Sequence, residues 1–484
     1  MSWRKSIWVC IFLLLMGAFA TSEVQRPRPK QAETTSPIEI IFVQAPVVAA
    51  GDLATRFPQG SRLARSPIGS KPGAAVNLTT EFFAVADPEI SFDGTKVLFT
   101  GKKDPQAHWQ VWEMSLDGSG KRQITSCDSD CLRPAYLPRE QIVFTAVREN
   151  SSPVRTEIQV VNRDGSGAHP ISFGPGNFQV ETVLRDGRIL LSASLPLTPG
   201  ASTVSFRQLY TLRSDGTALA SLRCDHRRPS SQTDAAELDD GSVVFTRPIQ
   251  TGSDVAGELA QIRQGAKHNS ALTAPPAAYW SPRRLGPDQL IVARRNASAR
   301  GPAQRFDLYA FDPATGQPGP LVYRDTTLSS VQAVPVAAHP IPRWYWSTIK
   351  PELAEGYFIC LDSYSSADAP GGRIGNPIAR VRVRTLEPAT NHERSLGDAP
   401  VEEDGSFYVA VPPDVPVRFE LLDAAGRVIK AQRSWIWSRP GEENGCVGCH
   451  EDKAVAPPNR WPLALRRLDT PMRLGVQAAP QAAH

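Results

Sequence analysis

The residues most able to do chemistry in this sequence lie close together near its C-terminal end. Cys446, Cys449 and His450 spell C-x-x-C-H, the attachment signature of c-type haem. Each thiol can reach one vinyl group of a porphyrin, and the adjacent imidazole can then bind the iron. A lone C-x-x-C also occurs in zinc and thioredoxin-like sites, but the histidine that follows favours haem. We therefore predict one haem c, attached by Cys446 and Cys449 with His450 as axial iron ligand; the alternative is a disulfide beside a bystander histidine.

The N-terminal segment predicts export. Arg4 and Lys5 precede an apolar run that is too short to span a bilayer comfortably and that ends in small residues. We interpret residues 1–20 as a signal peptide, with an uncleaved anchor as the alternative, and residues 21–36 as a flexible lead-in. Export predicts a periplasmic or otherwise extracytoplasmic location in a bacterium, where disulfides form and haem is attached.

Composition narrows the class of protein further. The net charge is only +4, and no basic stripe suggests a nucleic-acid partner. No second long apolar stretch predicts a membrane span after signal cleavage. The 43 prolines and 35 glycines, with few periodic helical runs, predict an all-β protein rich in turns.

Residues 37–330 repeat one pattern of short apolar strands and glycine turns. Asp-Gly pairs suit hairpin turns, because both residues tolerate positive φ. Their recurrence at roughly fifty-residue intervals predicts a six-bladed β-propeller, with an irregular β-sandwich as the alternative. The pairs that mark the repeat are Asp93-Gly94, Asp164-Gly165, Asp186-Gly187, Asp215-Gly216 and Asp240-Gly241.

After the repeat, a proline-rich linker leads into a second all-β region. Alternating apolar residues over residues 331–440 predict a small β-sandwich. Residues 441–484 then form the haem-attachment segment and tail, with one short helix expected at residues 462–468. Because this tail cannot cover a porphyrin, we expect the propeller to clamp the haem. The aromatic residues considered for packing on the ring, as opposed to ordinary core positions, are Trp435, Trp437 and Trp461.

These residues resemble the hydrazine synthase alpha-subunit family over nearly the whole mature chain, most specifically from about residue 334 to residue 450. The segments that carry the resemblance are Asp87-Pro88-Glu89-Ile90-Ser91-Phe92-Asp93-Gly94, Gly405-Ser406-Phe407, Pro412-Pro413-Asp414-Val415-Pro416, Trp435-Ile436-Trp437 and Gly445-Cys446-Val447-Gly448-Cys449-His450. The resemblance implies an N-terminal six-bladed propeller and a middle domain that holds one c-type haem. In hydrazine synthase, this haem belongs to the active site that joins nitrogen derived from nitric oxide and from ammonia. The family's motif histidine faces a zinc ion, and a tyrosine shortly after the motif binds the iron.

The sequence departs from that pattern after the motif. Ala454 stands four positions beyond His450, no tyrosine follows, and no second C-x-x-C-H occurs. We therefore expect His450 on iron and no hydrazine synthesis by this chain, with zinc as a further candidate cofactor. Two functions remain open: redox or small nitrogen-species chemistry at an open haem, or a non-catalytic module that passes an electron through a six-coordinate haem. The corresponding partners are a small-molecule ligand or a redox protein.

The remaining cysteines and histidines leave several alternatives. Cys127 and Cys131 could close a disulfide, favoured by export, or bind zinc beside Asp128 and Asp130. Cys224 could pair with Cys360, although sequence alone does not fix connectivity. The other metal-binding possibilities are the cluster Cys224-Asp225-His226 and a sixth iron ligand among Met472, His108, His169, His226, His268, His339 and His392.

Overall fold

A computed structural model of the chain describes residues 38–49, 53–148, 154–194, 206–222, 230–249, 254–263, 268–296, 305–387, 392–449 and 460–476. The predicted signal peptide and lead-in lie outside these ranges. The described part is almost entirely β-structure, which confirms the all-β prediction. None of its helices is long and apolar enough to cross a membrane.

The first 24 strands of the described residues form the propeller region. They pair into antiparallel sheets of four, except for one eight-stranded sheet in which two four-stranded units are linked through Gly257 and Tyr279. The strands are β1 Glu39–Ala45, β2 Arg62–Pro67, β3 Val76–Asn77, β4 Ala84–Ile90, β5 Lys96–Lys102, β6 Gln110–Ser115, β7 Arg122–Gln123, β8 Cys131–Leu137, β9 Gln141–Arg148, β10 Arg155–Asn162, β11 His169–Pro170, β12 Asn177–Val183, β13 Ile189–Ser194, β14 Arg207–Leu212, β15 Ala220–Ser221, β16 Thr233–Glu237, β17 Val243–Pro248, β18 Gly257–Ile262, β19 Ser270–Ala271, β20 Ala277–Gly286, β21 Gln289–Asn296, β22 Asp307–Asp312, β23 Gln317–Tyr323 and β24 Ser329–Pro335.

The last of these strands closes the ring. β24 pairs with β1, so that one four-stranded unit has the order β24-β1-β2-β3 and joins the two ends of the repeat. The predicted boundary at residue 330 is therefore too early, because it cuts through β24. The sequence carries no local hairpin signal for this strand, since its partner lies at the opposite end of the repeat.

The predicted Asp-Gly turns are confirmed, because every marked glycine has positive φ, from 71° at Gly94 to 94° at Gly165. At Gly187 the glycine is also required by packing. A Cβ atom there would lie 1.9 Å from the backbone oxygen of Arg343, which belongs to the linker. The linker therefore passes directly over this turn.

A closed polar network occupies the propeller interior. The first strand of each four-stranded unit has a β-bulge, and the bulges place Asp87, Arg133, Glu181, Asp234, Ser281 and Gln332 at equivalent positions. Arg133 donates to Glu181 at 2.7 Å and to Asp234 at 3.1 Å, and its backbone N–H donates to Asp87 at 3.1 Å. Burial alone would lower the pKa of Arg133, but the surrounding carboxylates raise it overall. The bulges thus turn strand residues inward to pair with one another.

The linker after β24 runs as extended chain against the propeller turns. His339 Nε2 lies 3.2 Å from the backbone oxygen of Ile90, and the backbone N–H of Arg343 donates to the oxygen of Arg185 at 3.1 Å. The guanidinium of Arg139 lies 4.2 Å from the ring centre of Trp346, a cation–π distance. The linker is therefore a fixed part of the structure.

The second region consists of two four-stranded sheets, as expected for the predicted sandwich. Their orders are β31-β25-β28-β32 and β27-β26-β29-β30, and their apolar faces share one core. The strands are β25 Gly356–Cys360, β26 Arg380–Leu386, β27 Glu393–Pro400, β28 Phe407–Val411, β29 Val417–Leu422, β30 Val428–Ala431, β31 Glu443–Cys446 and β32 Met472–Arg473, and the short 3-10 helices of the described chain are Leu53–Thr55, Pro370–Gly372 and Leu463–Arg466.

Two sequence predictions for this region need correction. The sandwich does not end at residue 440, because β31 and β32 extend its first sheet by parallel pairing with β25 and β28. The short helix expected at residues 462–468 is one 3-10 turn, Leu463–Arg466. Parallel pairing leaves no turn signal in the sequence, so the extra strands were indistinguishable from a tail.

Trp437 docks the sandwich onto the propeller. Its side chain is 2 % exposed and packs edge-on against Phe178, and its ring N–H donates to the backbone oxygen of Gly216 at 3.0 Å. Nearby, Glu442 accepts a 2.7 Å hydrogen bond from the backbone N–H of Ala218. A buried tryptophan with its N–H satisfied is a strong anchor, so the two regions are joined by packing as well as by the linker.

Candidate functional site

The sandwich sheet positions the first cysteine of the motif. β31 lies parallel to β25, and Cys446 is directly opposite Cys360. The backbone N–H of Leu361 donates to the oxygen of Cys446 at 2.9 Å. Cys446 is therefore held at the end of an edge strand, where the chain leaves the sheet.

A glycine fixes the turn between the two motif cysteines. A Cβ atom on Gly448 would lie 2.5 Å from the backbone oxygen of Ser365, so any side chain would push the turn away. The backbone N–H of Cys449 donates to that same oxygen at 3.0 Å. The C-x-x-C turn therefore packs directly against the segment around Ser365.

Neither motif cysteine is disulfide-bonded, so the alternative of a structural disulfide between them is not realised. Both side chains are partly buried against the sandwich core. Burial raises the pKa of the Cys449 thiol to about 11, against a smaller lowering by Lys430 and with a further increase from Asp368. Burial of Cys449 therefore disfavours its thiolate form.

A small cleft of about 100 Å³ adjoins the motif at Val447. Arg373 donates to the carboxylate of Asp362 at 2.8 Å, and the Arg460 guanidinium lies 3.5 Å from the same carboxylate. Two guanidinium groups share one carboxylate, so the cleft has excess positive charge. This charge suits acidic groups such as those of a haem, although the cleft is too small for a whole porphyrin.

The three candidate tryptophans have separate roles. Trp437 is fully occupied by the contact with the propeller, and Trp435 is 3 % exposed and lies 5.6 Å from the guanidinium of Arg418. Both side chains therefore occupy core positions, which is the alternative to packing on the porphyrin. Trp461 is 65 % exposed and lies between Arg460 and Pro462, which both line the cleft. It is the one of the three whose ring is accessible beside the motif.

Several predicted ligands lie outside the described residues, namely His450, Cys224, Asp225 and His226. Met472 lies in β32 and packs against the same sandwich core as the two motif cysteines, so its role as an iron ligand stays a prediction. Of the other histidines, His339 is held by the propeller and His169 by the oxygen of Gly167. His108 lies 3.5 Å from Asp130, while His268 and His392 are exposed.

The remaining cysteines separate into one bridge and one buried thiol. Cys127 and Cys131 form a disulfide, which confirms the favoured alternative and removes both thiolates as zinc ligands. Cys360 is a thiol buried in the sandwich core, so its suggested pairing with Cys224 is not formed. Among the described residues, no group of three or more His, Cys, Asp or Glu side chains is arranged to hold a metal ion.

Cys360 lies beside the motif, a position that the sequence did not predict. The only signal available was the apolar run Gly356–Cys360, which predicted a strand but not its partner. Burial, and after it the charge of Cys446, raises the pKa of Cys360 well above its usual value. Three thiols therefore share one end of the sandwich.

The fold and site together define an all-β class, in which a propeller is followed by a β-sandwich that presents a C-x-x-C turn at a sheet edge. Residues 368–451 match the family described as hydrazine synthase alpha subunit middle domain. The chain is 23 % identical to hydrazine synthase subunit alpha of Kuenenia stuttgartiensis over 86 % of its own length and 66 % of that protein's length, slightly less than two thirds.

A solved structure of Kuenenia stuttgartiensis hydrazine synthase has the same fold, with a TM-score of 0.76 and 21 % identity. That match covers 89 % of this chain and 71 % of the solved chain. The resemblance to the hydrazine synthase alpha subunit is thereby confirmed, and the chain is hydrazine synthase alpha-subunit-like.

Proposed function

We propose that this chain is an exported, periplasmic c-type haem protein, in which Cys446 and Cys449 carry one haem and His450 is an axial iron ligand. One observation carries the proposal: two cysteines without a disulfide stand at the correct C-x-x-C-H spacing, inside the region that matches the family. The donor set fits, because the two attachment groups are thiols and the adjacent residue is an imidazole.

The chain's own residues would position the group as follows. β31 and the contact between Gly448 and Ser365 hold the two thiols in place. Arg373 and Arg460 supply positive charge for acidic groups, and Trp461 supplies an accessible apolar face. The haem, when bound, supplies one-electron redox chemistry and a site for small ligands.

The proposed chemistry is redox or small nitrogen-species chemistry at this single haem, with a small-molecule ligand or redox protein as partner. Unaided hydrazine synthesis is not proposed, because Ala454 stands where the resemblance implies an iron-binding tyrosine. Purified holoprotein given nitric oxide, ammonium and a low-potential electron donor is expected to accumulate no hydrazine. Sustained turnover would contradict this part of the proposal.

The attachment is tested by the pyridine haemochrome assay and by haem staining of a denaturing gel. We expect one covalent haem per chain, and none after the double change Cys446→Ala and Cys449→Ala. Cys360→Ala is the matched control, because it removes a neighbouring thiol and should leave the haem attached. Haem stain that survives the double change would overturn the assignment.

The coordination of the iron separates the two chemical roles. An electronic spectrum distinguishes five-coordinate high-spin from six-coordinate low-spin iron, and carbon monoxide binding tests for an open position. We expect carbon monoxide to bind at a stoichiometry near one per haem. A six-coordinate spectrum that carbon monoxide does not change would favour the electron-transfer module instead.

A further inference from the structure

Cys360 lies where it can compete with haem for the first motif cysteine. In the parallel pair of β25 and β31, Cys360 and Cys446 are direct partners. Both side chains belong to the same sandwich core, so they lie on the same face of the sheet. The two thiols are therefore neighbours across one strand boundary.

The spacing of paired strands suits a disulfide at this position. Adjacent strands lie about 4.8 Å apart. The Cα atoms of disulfide-bonded cysteines usually lie roughly 4.4–6.8 Å apart. The general spacing of paired strands therefore falls within the range of disulfide-bonded cysteines, and both residues are reduced in the structure.

The alternative bridge, within the C-x-x-C turn, is less favoured by the local contacts. Cys449 is tied to Ser365 through its backbone N–H, and its thiol is near Lys430 and Asp368. Cys446, by contrast, is the direct strand partner of Cys360. The strand register therefore places Cys446, and not Cys449, directly opposite Cys360.

We propose that, before haem is attached, Cys360 and Cys446 form a reversible disulfide that blocks the attachment site. The oxidant is a disulfide, either of a thiol oxidase or of a small molecule such as glutathione disulfide. Its S–S bond breaks, an S–S bond forms between Cys360 and Cys446, and the two thiol protons end on the reduced oxidant. Because Cys446 is partly exposed, a reducing thiol can reverse the exchange.

The consequence for haem rests on the proposed function, whereas the disulfide itself does not. A sulfur atom in a disulfide cannot add to a vinyl group, so the oxidised chain could form at most the thioether at Cys449. Reduction would restore Cys446. Attachment would then require a reducing step, even though the compartment favours disulfides.

The test maps disulfides in the full-length, haem-free chain. The chain is exposed to glutathione disulfide or to dithiothreitol, alkylated, digested without reduction and analysed by mass spectrometry. We expect a peptide pair that joins Cys360 to Cys446 after oxidation, with at least a tenfold loss of Cys446 alkylation relative to the reduced sample. Dithiothreitol should reverse both changes.

Two variants act as a matched pair. Cys449→Ser should keep the link between Cys360 and Cys446, whereas Cys360→Ser should abolish it. If oxidised wild type contains only a bridge between Cys446 and Cys449, or if all three residues stay reduced, the proposal is wrong. The disulfide map of the wild-type chain tests the proposal without any variant. The test therefore still holds if Cys360→Ser folds poorly.

A measurement on the holoprotein distinguishes failure of the disulfide proposal from failure of the proposed haem attachment. There, haem occupies Cys446, and the same oxidant should leave Cys360 as a thiol that alkylates after denaturation. A normal haem stoichiometry without the linked peptide in the haem-free chain refutes this inference alone. The linked peptide in a chain that never acquires haem refutes the proposed function alone.

Discussion

The propeller interior and the motif end of the sandwich differ in the burial of their polar groups. In the propeller, Arg133, Glu181 and Asp234 are buried and bond to one another, so their charges serve the structure. In the sandwich, Cys446 and Cys449 are partly exposed thiols, and the nearby arginines outnumber the carboxylate that they share. Under the proposed function, the propeller is then the scaffold and the sheet edge carries the chemistry.

The largest expected effect is on the propeller side of this comparison. Arg133→Met removes the cation between two buried carboxylates, which we expect to lower the free energy of unfolding by about 3–5 kcal/mol. Chemical denaturation followed by circular dichroism measures it. Arg324→Met is the control, because its ion pair with Asp307 is half-exposed and should cost less than about 1 kcal/mol. Equal losses for both variants would remove the distinction between the interior network and a surface pair.

Substitutions of two tryptophans test the packing contact between the propeller and the sandwich. Trp437→Ala empties a buried site and is expected to cost about 3–4 kcal/mol, with the single unfolding transition splitting into two. Trp461→Ala should leave stability within about 0.5 kcal/mol, because that ring is 65 % exposed. In the holoprotein, Trp461→Ala should instead shift the haem absorption spectrum. A spectrum that responds only to Trp437→Ala would reverse the roles given to these residues.

The sandwich thiols should make stability fall at high pH. Burial raises the pKa of Cys449 from an ordinary value of 9.0 to about 11, so the unfolded chain loses this proton first as pH rises. The stabilisation is complete below about pH 9 and is lost by about pH 11, with a limit of about 3 kcal/mol for a shift of two pH units. Unfolding of the haem-free wild type and Cys449→Ser from pH 8 to 11 measures the difference. Parallel curves would mean that the thiol is not buried in solution.

The smallest expected loss of stability concerns the contact between the motif turn and Ser365. Gly448→Ala puts a methyl group against the Ser365 oxygen and should cost about 1–3 kcal/mol, with a reduced yield of covalent haem. Gly445→Ala is the matched control three residues earlier, because no atom lies within 4 Å of its added Cβ. Haem yield per purified chain measures both. The same yield from the two variants would show that the turn has no required position.

The features predictable from the sequence were those with local signals. The Asp-Gly turns and the C-x-x-C-H spacing are each read from a few adjacent residues, and the turns have the expected conformation. The polar bulge residues were not predicted, because a bulge interrupts the alternation by which strands are recognised. The pairing of Cys360 with Cys446 was not predicted for a related reason. Parallel pairing joins distant segments without a turn between them.

The pairing of β24 with β1 limits the order in which this chain can complete its fold. β1 emerges early, with Ile40 and Val43 destined for full burial, but its partner strand ends only at Pro335. Until then, β1 has an unpaired edge that could associate with another chain. Contacts between residues so far apart in the chain form slowly, so we expect the propeller to close late in folding. The sandwich follows that strand in the chain, so the motif turn emerges only when the ring can already close.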